Sequence, residues 1–317
     1  MKLMYFNDFR LGVLKGAEVV DVTAAVQNVV PHTTPGNLII GVIEQWASVR
    51  GRIESAANSG KGLPVSQVKI RPPLPKPVNV DCMAVNYMED GTRKAPAEIN
   101  AFHKSPGCIV GHGDTMIMPD IPLTIFEGEA ELAVVIGKRA KHVTQANAMD
   151  HVFGYINFID GSARDATKLG NSFYQVKSRD TFAPIGPYIV TADEIKDPHK
   201  LQVRLWVNGQ LKQNYNTSDM AHKIPRCIEW ISGVHELEPG DILATGTNHR
   251  GLSAFQDGDT IDLEVDGMGK LTVKVKDEHK RTWARETRLD REQKGLKGTT
   301  PQLTGKYAKA GGGATGG

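Results

Sequence analysis

Three glutamates stand two apart in the segment FEGEAELAVVIG, at positions 127, 129 and 131 of a 317-residue chain. Alternate side chains of an extended segment share a face, so Glu127, Glu129 and Glu131 form one row of carboxylates. Like charges that close raise one another's pKa or demand a cation. The apolar LAVVIG run that follows reads as buried on both faces, which leaves solvent little room to screen the row. A divalent, oxygen-seeking ion would neutralise it. Mg2+ or Mn2+ suits an all-carboxylate site with no paired His or Cys beside it. A solvated acidic face at a strand end is the other reading, and the spacing of Glu129 and Glu131 does not separate the two.

Two later segments carry further candidates. In GYINFIDGSARD, at 154–165, an apolar strand ends at Asp160 and is followed by turn residues and the Arg164–Asp165 pair. An Asp just past a strand end is where a rigid scaffold presents a ligand to a cleft, although such a residue can equally do no more than cap the turn. In KSRDTFAPIGP, at 177–187, Lys177 precedes a Pro- and Gly-rich turn between two β segments. It reads either as an ordinary exposed lysine or as an electrophile aimed at a developing oxyanion.

The elements that must position these groups are mainly β. Residues 1–72 read as a small unit, with strand-like LMYF, RLGVL and EVVDV and a helical spacing of Leu38, Val42, Ile43, Trp46 and Ile53. The Pro-rich IRPPLPKPVN then breaks regular structure. From 73 to 278, ELAVVIG, GYINFI, YIVTA, LQVRLWVNG, DILATGT, TIDLEV and KLTVKVK are short strands between Gly, Asp and Asn turns, with a helix around 221–237. Residues 279–317 form a tail ending in GGGATGG, read as a flexible or subunit-contacting extension.

Composition excludes several classes. Apolar residues are 40% and charged residues 23%, which no wholly disordered chain shows. No apolar run reaches the roughly 20 residues of a bilayer span, and the N-terminus lacks a signal-peptide core. Cys82, Cys108 and Cys227 are too few and too scattered for a disulfide framework or a zinc site, and read as buried, inert thiols in a reducing cytoplasm. The formal charge is +2, but the last 39 residues hold nine Lys/Arg against three Asp/Glu, leaving 29 basic and 33 acidic side chains in the rest. That balance gives no reason to expect nucleic acid or a membrane as partner.

Taken in order, GluAlaGluLeu at 129–132 with AVVIGK, the Asp-x-Ser-Ala-Arg-Asp stretch at 160–165, KSRDTFAPIGP, VNGQLKQ at 207–213 and LEPGDILATGT at 237–247 resemble the fumarylacetoacetate hydrolase family. The resemblance implies a mixed α/β, mainly β fold, a β-roll preceded by a small N-terminal α+β domain. It implies one Mg2+ or Mn2+ per subunit on Glu129, Glu131 and Asp160, with Lys177 and Arg164 as catalytic residues. Asn86, Tyr87, Gln213, Gly246 and Thr247 are the implied substrate-binding residues, with Lys104 as a holder of a second carboxylate. The implied partners are a small 2-oxo acid and a second copy of the chain in a homodimer.

One departure bears on mechanism. Hydrolytic members carry Asn-Tyr-x-x-His followed by a Glu, a pair thought to activate water. The present segment is NYMEDGTR, with Asp90 at the His position and Arg93 at the Glu position. Thr167 stands where the family has Gln, and Asn248 and His249 follow TGT in place of its proline. Glu89, Asp90, His103 and His249 are the candidate bases by sequence neighbourhood. The leading expectation is a metal-dependent hydrolase cleaving a C–C bond of an acylpyruvate or 1,3-diketo acid. The alternatives are a decarboxylase, isomerase or dehydratase using the same enolate chemistry, or a non-catalytic binder of metal and oxo-acid.

Overall fold

The computed structural model describes residues 1–167 and 172–308. A 12-stranded mixed sheet forms the body, and a five-stranded sheet packs against its centre. Two long antiparallel strands, Ile125–Ile136 and Val152–Arg164, lie in the middle of the larger sheet, and every residue of the first is buried. Their pairing sets Glu127 opposite Ser162, Glu129 opposite Asp160 and Glu131 opposite Phe158. Opposed residues share a face of the sheet, so register brings the third carboxylate to the other two.

Asp160 is therefore not in a loop past a strand end. DGSAR reads as a turn, yet the strand continues to Arg164. Gly161 opposes Gly128 in the pairing. A Cβ at Gly128 would lie 2.2 Å from the Phe255 ring, and one at Gly161 3.0 Å from the Phe182 carbonyl oxygen. These glycines permit close packing over the strands and make no turn. The expected turn after Lys177 is corrected too. Lys177 closes a short helix, Phe173–Lys177, and PIGP lies inside the buried strand Ala183–Thr191.

The flanking strands deliver the other candidates. Ile242–Ala244, from DILATGT, pairs antiparallel with Ile125–Ile136 and parallel with Val80–Met83. Val80–Met83 pairs in turn with Ala101–His103. The five-stranded sheet contains Gln202–Val207 and Thr260–Val265, whose residues alternate between buried and partly exposed, the pattern of a half-covered sheet. Helix Ile224–Val234 begins with Pro225 in its first turn and buries Ile224, Cys227, Ile228 and Ile231, one stripe of a 3.6-residue period.

The N-terminal segment forms the strands Lys2–Phe6, Arg10–Lys15 and Glu18–Asp21, a one-turn helix, Thr23–Val26, and two longer helices, Leu38–Glu44 and Trp46–Ser59, separated at Gln45. Its strands belong to the large sheet, with Leu3 opposite Ile189. Trp46 meets Phe153 edge-on, with ring centroids 5.1 Å apart.

Of the two expectations for the segment from residue 279, a flexible or a subunit-contacting extension, the first gives way to a folded segment as far as 308. Arg281 is fully buried, donating to Asp277 and, at 2.9 and 2.8 Å, to the carbonyls of Ile121 and Pro119. A capping box between Thr287 and Asp290 starts helix Arg288–Gln293. The terminal glycine run lies outside the described residues. All three cysteines are free and buried, and burial pushes the Cys227 thiol up to about 12. Among the described residues no helix is long and apolar enough to cross a membrane.

Candidate active site

Glu129, Glu131 and Asp160 are buried, each with a carboxylate oxygen within 4.8 Å of the others. Three cations contact Glu129 and Asp160, and a fourth reaches the neighbouring Glu127. The Lys177 ammonium donates to Asp160 and lies 3.1 Å from Glu129 Oε1. Lys104 Nζ is 2.5 Å from the other Asp160 oxygen. Arg164 bridges two of the glutamates, bonding Glu129 and placing its Nε 3.0 Å from Glu127 Oε2. Arg288, from the tail, donates to the same Glu127 oxygen at 2.6 Å.

The count of four carboxylates and four cations balances, but its distribution does not. Glu131 receives the backbone N–H of Gly246 at 2.6 Å and, among the described residues, no cation within ion-pair reach. Burial, with the charges of Asp160 and Glu129 beside it, pushes the Glu131 carboxyl well up. Burial acts on Glu129 in the same sense, yet Lys177 and Arg164, with a smaller contribution from His249, hold it far below the usual carboxylate range. Burial also opposes the charge on Lys177, and Asp160 and Glu129 outweigh it, so the ammonium persists. Three convergent carboxylates, one of them lacking a counter-charge, fit a divalent ion that prefers oxygen donors.

The remaining expected residues divide into those that frame the site and those that face elsewhere. Lys104, expected at a substrate carboxylate, is buried and bonded to Asp160, Gly161 O and Lys177 O, so it acts on the protein's own carboxylate. His103 is not a base for this site. Neighbours on a strand point to opposite faces, and His103 turns toward Asp81 while Lys104 turns inward. Asp90 is half exposed and lies 3.6 Å from Arg250.

Asn86, Gln213 and Thr247, expected to contact substrate, have their polar groups engaged within the protein. The Asn86 amide donates to Thr245 O and His222 O and accepts from the His222 N–H. Gln213 accepts from the Ala130 N–H at 3.0 Å and donates to Thr247 Oγ1 at 2.8 Å, while Thr247 donates to Ala130 O at 2.7 Å. Together they brace the backbone between Glu129 and Glu131. Gly246 has φ +87°, and a Cβ there would meet Asn86 at 3.0 Å, so glycine is needed to turn its N–H onto Glu131. Tyr87 differs from these residues, because among the described residues its buried hydroxyl, which lies beside the Thr245 side chain, makes no well-formed hydrogen bond.

Glu89 and His249 meet. The Glu89 carboxylate accepts from His249 Nδ1 at 2.6 Å and from the His249 backbone N–H at 2.8 Å. Glu89 and Asp90 hold left-handed backbone, with φ 56° and 55°, a cost to residues with a Cβ that Asp219 offsets by bonding the backbone N–H groups of Met88 and Asp90. Sequence reasoning had both partners as separate candidates and had no means of pairing them. It missed Arg288 altogether, although Thr287 and Asp290 at capping-box spacing mark a helix start there.

A buried carboxylate trio ringed by lysine and arginine, carried on paired central strands of a mixed sheet, defines an enzyme with an oxygen-donor metal site. The Fumarylacetoacetate (FAA) hydrolase C-terminal family model matches residues 79–276, and the chain belongs to the fumarylacetoacetate hydrolase family. Oxaloacetate tautomerase YisK of Bacillus subtilis is 38% identical over 223 residues, 67% of this chain and 74% of that protein. The crystal structure of maleylpyruvate hydrolase from Sphingobium sp. SYK-6, in complex with manganese and pyruvate, superposes with a TM-score of 0.79 at 36% identity, covering 87% of this chain and 99% of that one. A 2-hydroxyhepta-2,4-diene-1,7-dioate isomerase from Mycobacterium marinum gives 0.68 at 29% identity, covering 88% and 99%. The family thus joins hydrolases with isomerases and tautomerases on one scaffold.

Proposed function

We propose that the protein is a Mg2+- or Mn2+-dependent hydrolase that cleaves the C–C bond of an acylpyruvate or a related 1,3-diketo acid. The observation that carries this reading is the Glu89–His249 pair. The residues expected to activate water are absent from the NYMEDGTR segment, and this pair supplies a carboxylate-oriented imidazole from other positions. With its Nδ1 proton on Glu89, His249 keeps the Nε2 lone pair for the proton of an attacking water, and the carboxylate stabilises the imidazolium that results.

The ion on Glu129, Glu131 and Asp160 would supply Lewis-acid polarisation of the 2-oxo and carboxylate oxygens of the substrate. The Lys177 ammonium adds positive charge where an enolate oxygen develops. Lys104 and Arg164 hold Asp160 and Glu129 in place, and the Tyr87 hydroxyl is available to a substrate oxygen. Water oxygen bonds to the acyl carbon as its proton passes to His249, the C–C bond breaks with its electron pair passing to the pyruvate enolate, and a proton returns to C3 of that enolate to form the methyl group of pyruvate. The products are a carboxylic acid and pyruvate.

The tautomerase relatives and the replaced residues Asp90 and Arg93 favour a second reading, in which His249 moves a proton between carbon and oxygen of a 2-oxo acid without adding water. Turnover of an acylpyruvate in heavy-oxygen water separates the two. Pyruvate release with one labelled oxygen in the acid supports hydrolysis. Accelerated keto–enol exchange of oxaloacetate with no labelled product selects the second reading.

A further inference from the structure

A second cluster of metal-ligating groups lies on the opposite face of the Val80–Met83 and Ala101–His103 pair. Asp81 and His103 are directly opposed in that pairing and share a face. Their neighbours Cys82 and Lys104 point the other way, toward Asp160. His235, which follows helix Ile224–Val234, completes the group. Asp81 Oδ1 is 3.1 Å from His235 Nε2 and 3.3 Å from His103 Nδ1, and one ligand atom from each residue lies within 4.8 Å of the others. Donor atoms sharing one ion at about 2.0–2.2 Å in a tetrahedron are roughly 3.3–3.6 Å apart, close to these separations.

Two further features call for a cation here. Asp81 is 3% exposed, yet among the described residues its Oδ2 has no hydrogen-bond partner, which is unusual for a buried carboxylate oxygen. His235 Nδ1 lies 2.9 Å from the Glu236 carbonyl oxygen, to which only an N–H can bond. Nε2 then either donates to Asp81 from a protonated ring, the form that the Asp81 charge favours against the opposing effect of burial, or in the neutral ring presents its lone pair to an ion held beside that carboxylate. A ring N–H held by a backbone carbonyl, with the other nitrogen free, is the arrangement that fixes a metal-binding histidine.

We propose that Asp81, His103 and His235 bind a transition-metal ion of the zinc class, independently of the carboxylate trio. Two imidazoles and one carboxylate suit Zn2+, Co2+ or Ni2+, whereas the all-oxygen trio suits Mg2+ or Mn2+, so the two sites sort ions by donor type. The side chain of His103 is 58% exposed, which leaves the cluster open to solvent for entry of the ion and for a water as fourth ligand. The bound ion ties the strand that leads into Lys104 to the end of helix Ile224–Val234.

The test is metal binding by the whole protein, stripped with chelator and then held in excess Mg2+. Zinc titration by calorimetry and metal analysis after gel filtration should show one zinc per chain, and Co2+ in its place should give the visible absorption of a four-coordinate nitrogen-containing site. His103→Gln and His235→Gln should each weaken zinc at least tenfold, and Glu129→Gln should leave it unchanged. His103 is exposed, so His103→Gln should melt at the wild-type temperature without metal, which separates lost binding from lost folding. Zinc binding that survives both histidine substitutions, or that disappears with Glu129→Gln, overturns the proposal. Failure of the wild type to retain zinc overturns it as well and leaves His235 as a protonated partner of Asp81.

Discussion

His249 and Glu89, 160 positions apart in the chain, are joined by two hydrogen bonds, Nδ1 to Oε1 at 2.6 Å and backbone N to Oε2 at 2.8 Å. The second bond fixes the carboxylate against the backbone, so the first fixes the ring. One loop follows the strand Val80–Met83 and the other the strand Ile242–Ala244, and these strands are parallel neighbours. Their carboxyl ends open side by side, which is how residues so distant in sequence come to act as a pair.

His249→Gln should lower kcat by about 10²–10⁴-fold, the usual contribution of a positioned proton acceptor, while Mn2+ binding measured by calorimetry stays at the wild-type value. Glu89→Gln should lower kcat less, because the imidazole itself remains. A wild-type kcat in His249→Gln would remove the pair from the mechanism.

Lys104 touches no solvent and acts through Asp160. Lys104→Met keeps its length and apolar stem but removes the ammonium, and the affinity for Mn2+ should fall by about 10–100-fold, the range seen when the partner of a ligand is lost. Chelator treatment of the wild type should abolish turnover, and added Mn2+ or Mg2+ should restore it.

The unpartnered hydroxyl of Tyr87 gives the opposite pattern. Tyr87→Phe removes a buried hydroxyl that makes no well-formed hydrogen bond among the described residues, so the melting temperature should stay close to the wild-type value. KM for the oxo-acid should increase by about tenfold if that hydroxyl serves the substrate, and an unchanged KM would show that it does not.

Arg281 and Asp277 form a buried ion pair in the folded tail. Arg281→Met strands the Asp277 charge and should cost about 3–5 kcal/mol at neutral pH in denaturant melts. Burial would raise the Asp277 carboxyl, but hydrogen bonds from the Arg281 side chain and backbone hold it below its ordinary value. A lowered native pKa means that the stabilisation is present above the unfolded value of about 3.9 and is lost as pH falls through the native one. The stability gap between wild type and variant should therefore be full at neutral pH and narrow below about pH 4.

The sequence made the ligand residues readable because a period of two is a local property, and Glu129 and Glu131 needed no partner to show it. Asp160 was found by residue type, but its setting was misread, since glycines that allow rings to close over a strand look the same in sequence as glycines that turn a chain. Gln213 and Thr247 were recognised as belonging to the site, yet their task of bracing Ala130 depends on contacts between distant strands. The same holds for Glu89 and His249, each visible alone, and for Asp81, which only the strand pairing sets beside His103. Arg288 was lost because a basic, Gly-rich ending was read by its average composition, while its structural meaning lay in one ion pair with Glu127.

The pairing of Leu3 with Ile189 bears on any attempt to work with the catalytic portion alone. A chain started after residue 72 would lose Lys2–Phe6 and bare the backbone N–H and C=O groups of Ile189 and Val190. Such an uncovered sheet margin is a template for strands of other molecules, so a shortened enzyme should self-associate even with every residue of its active site intact.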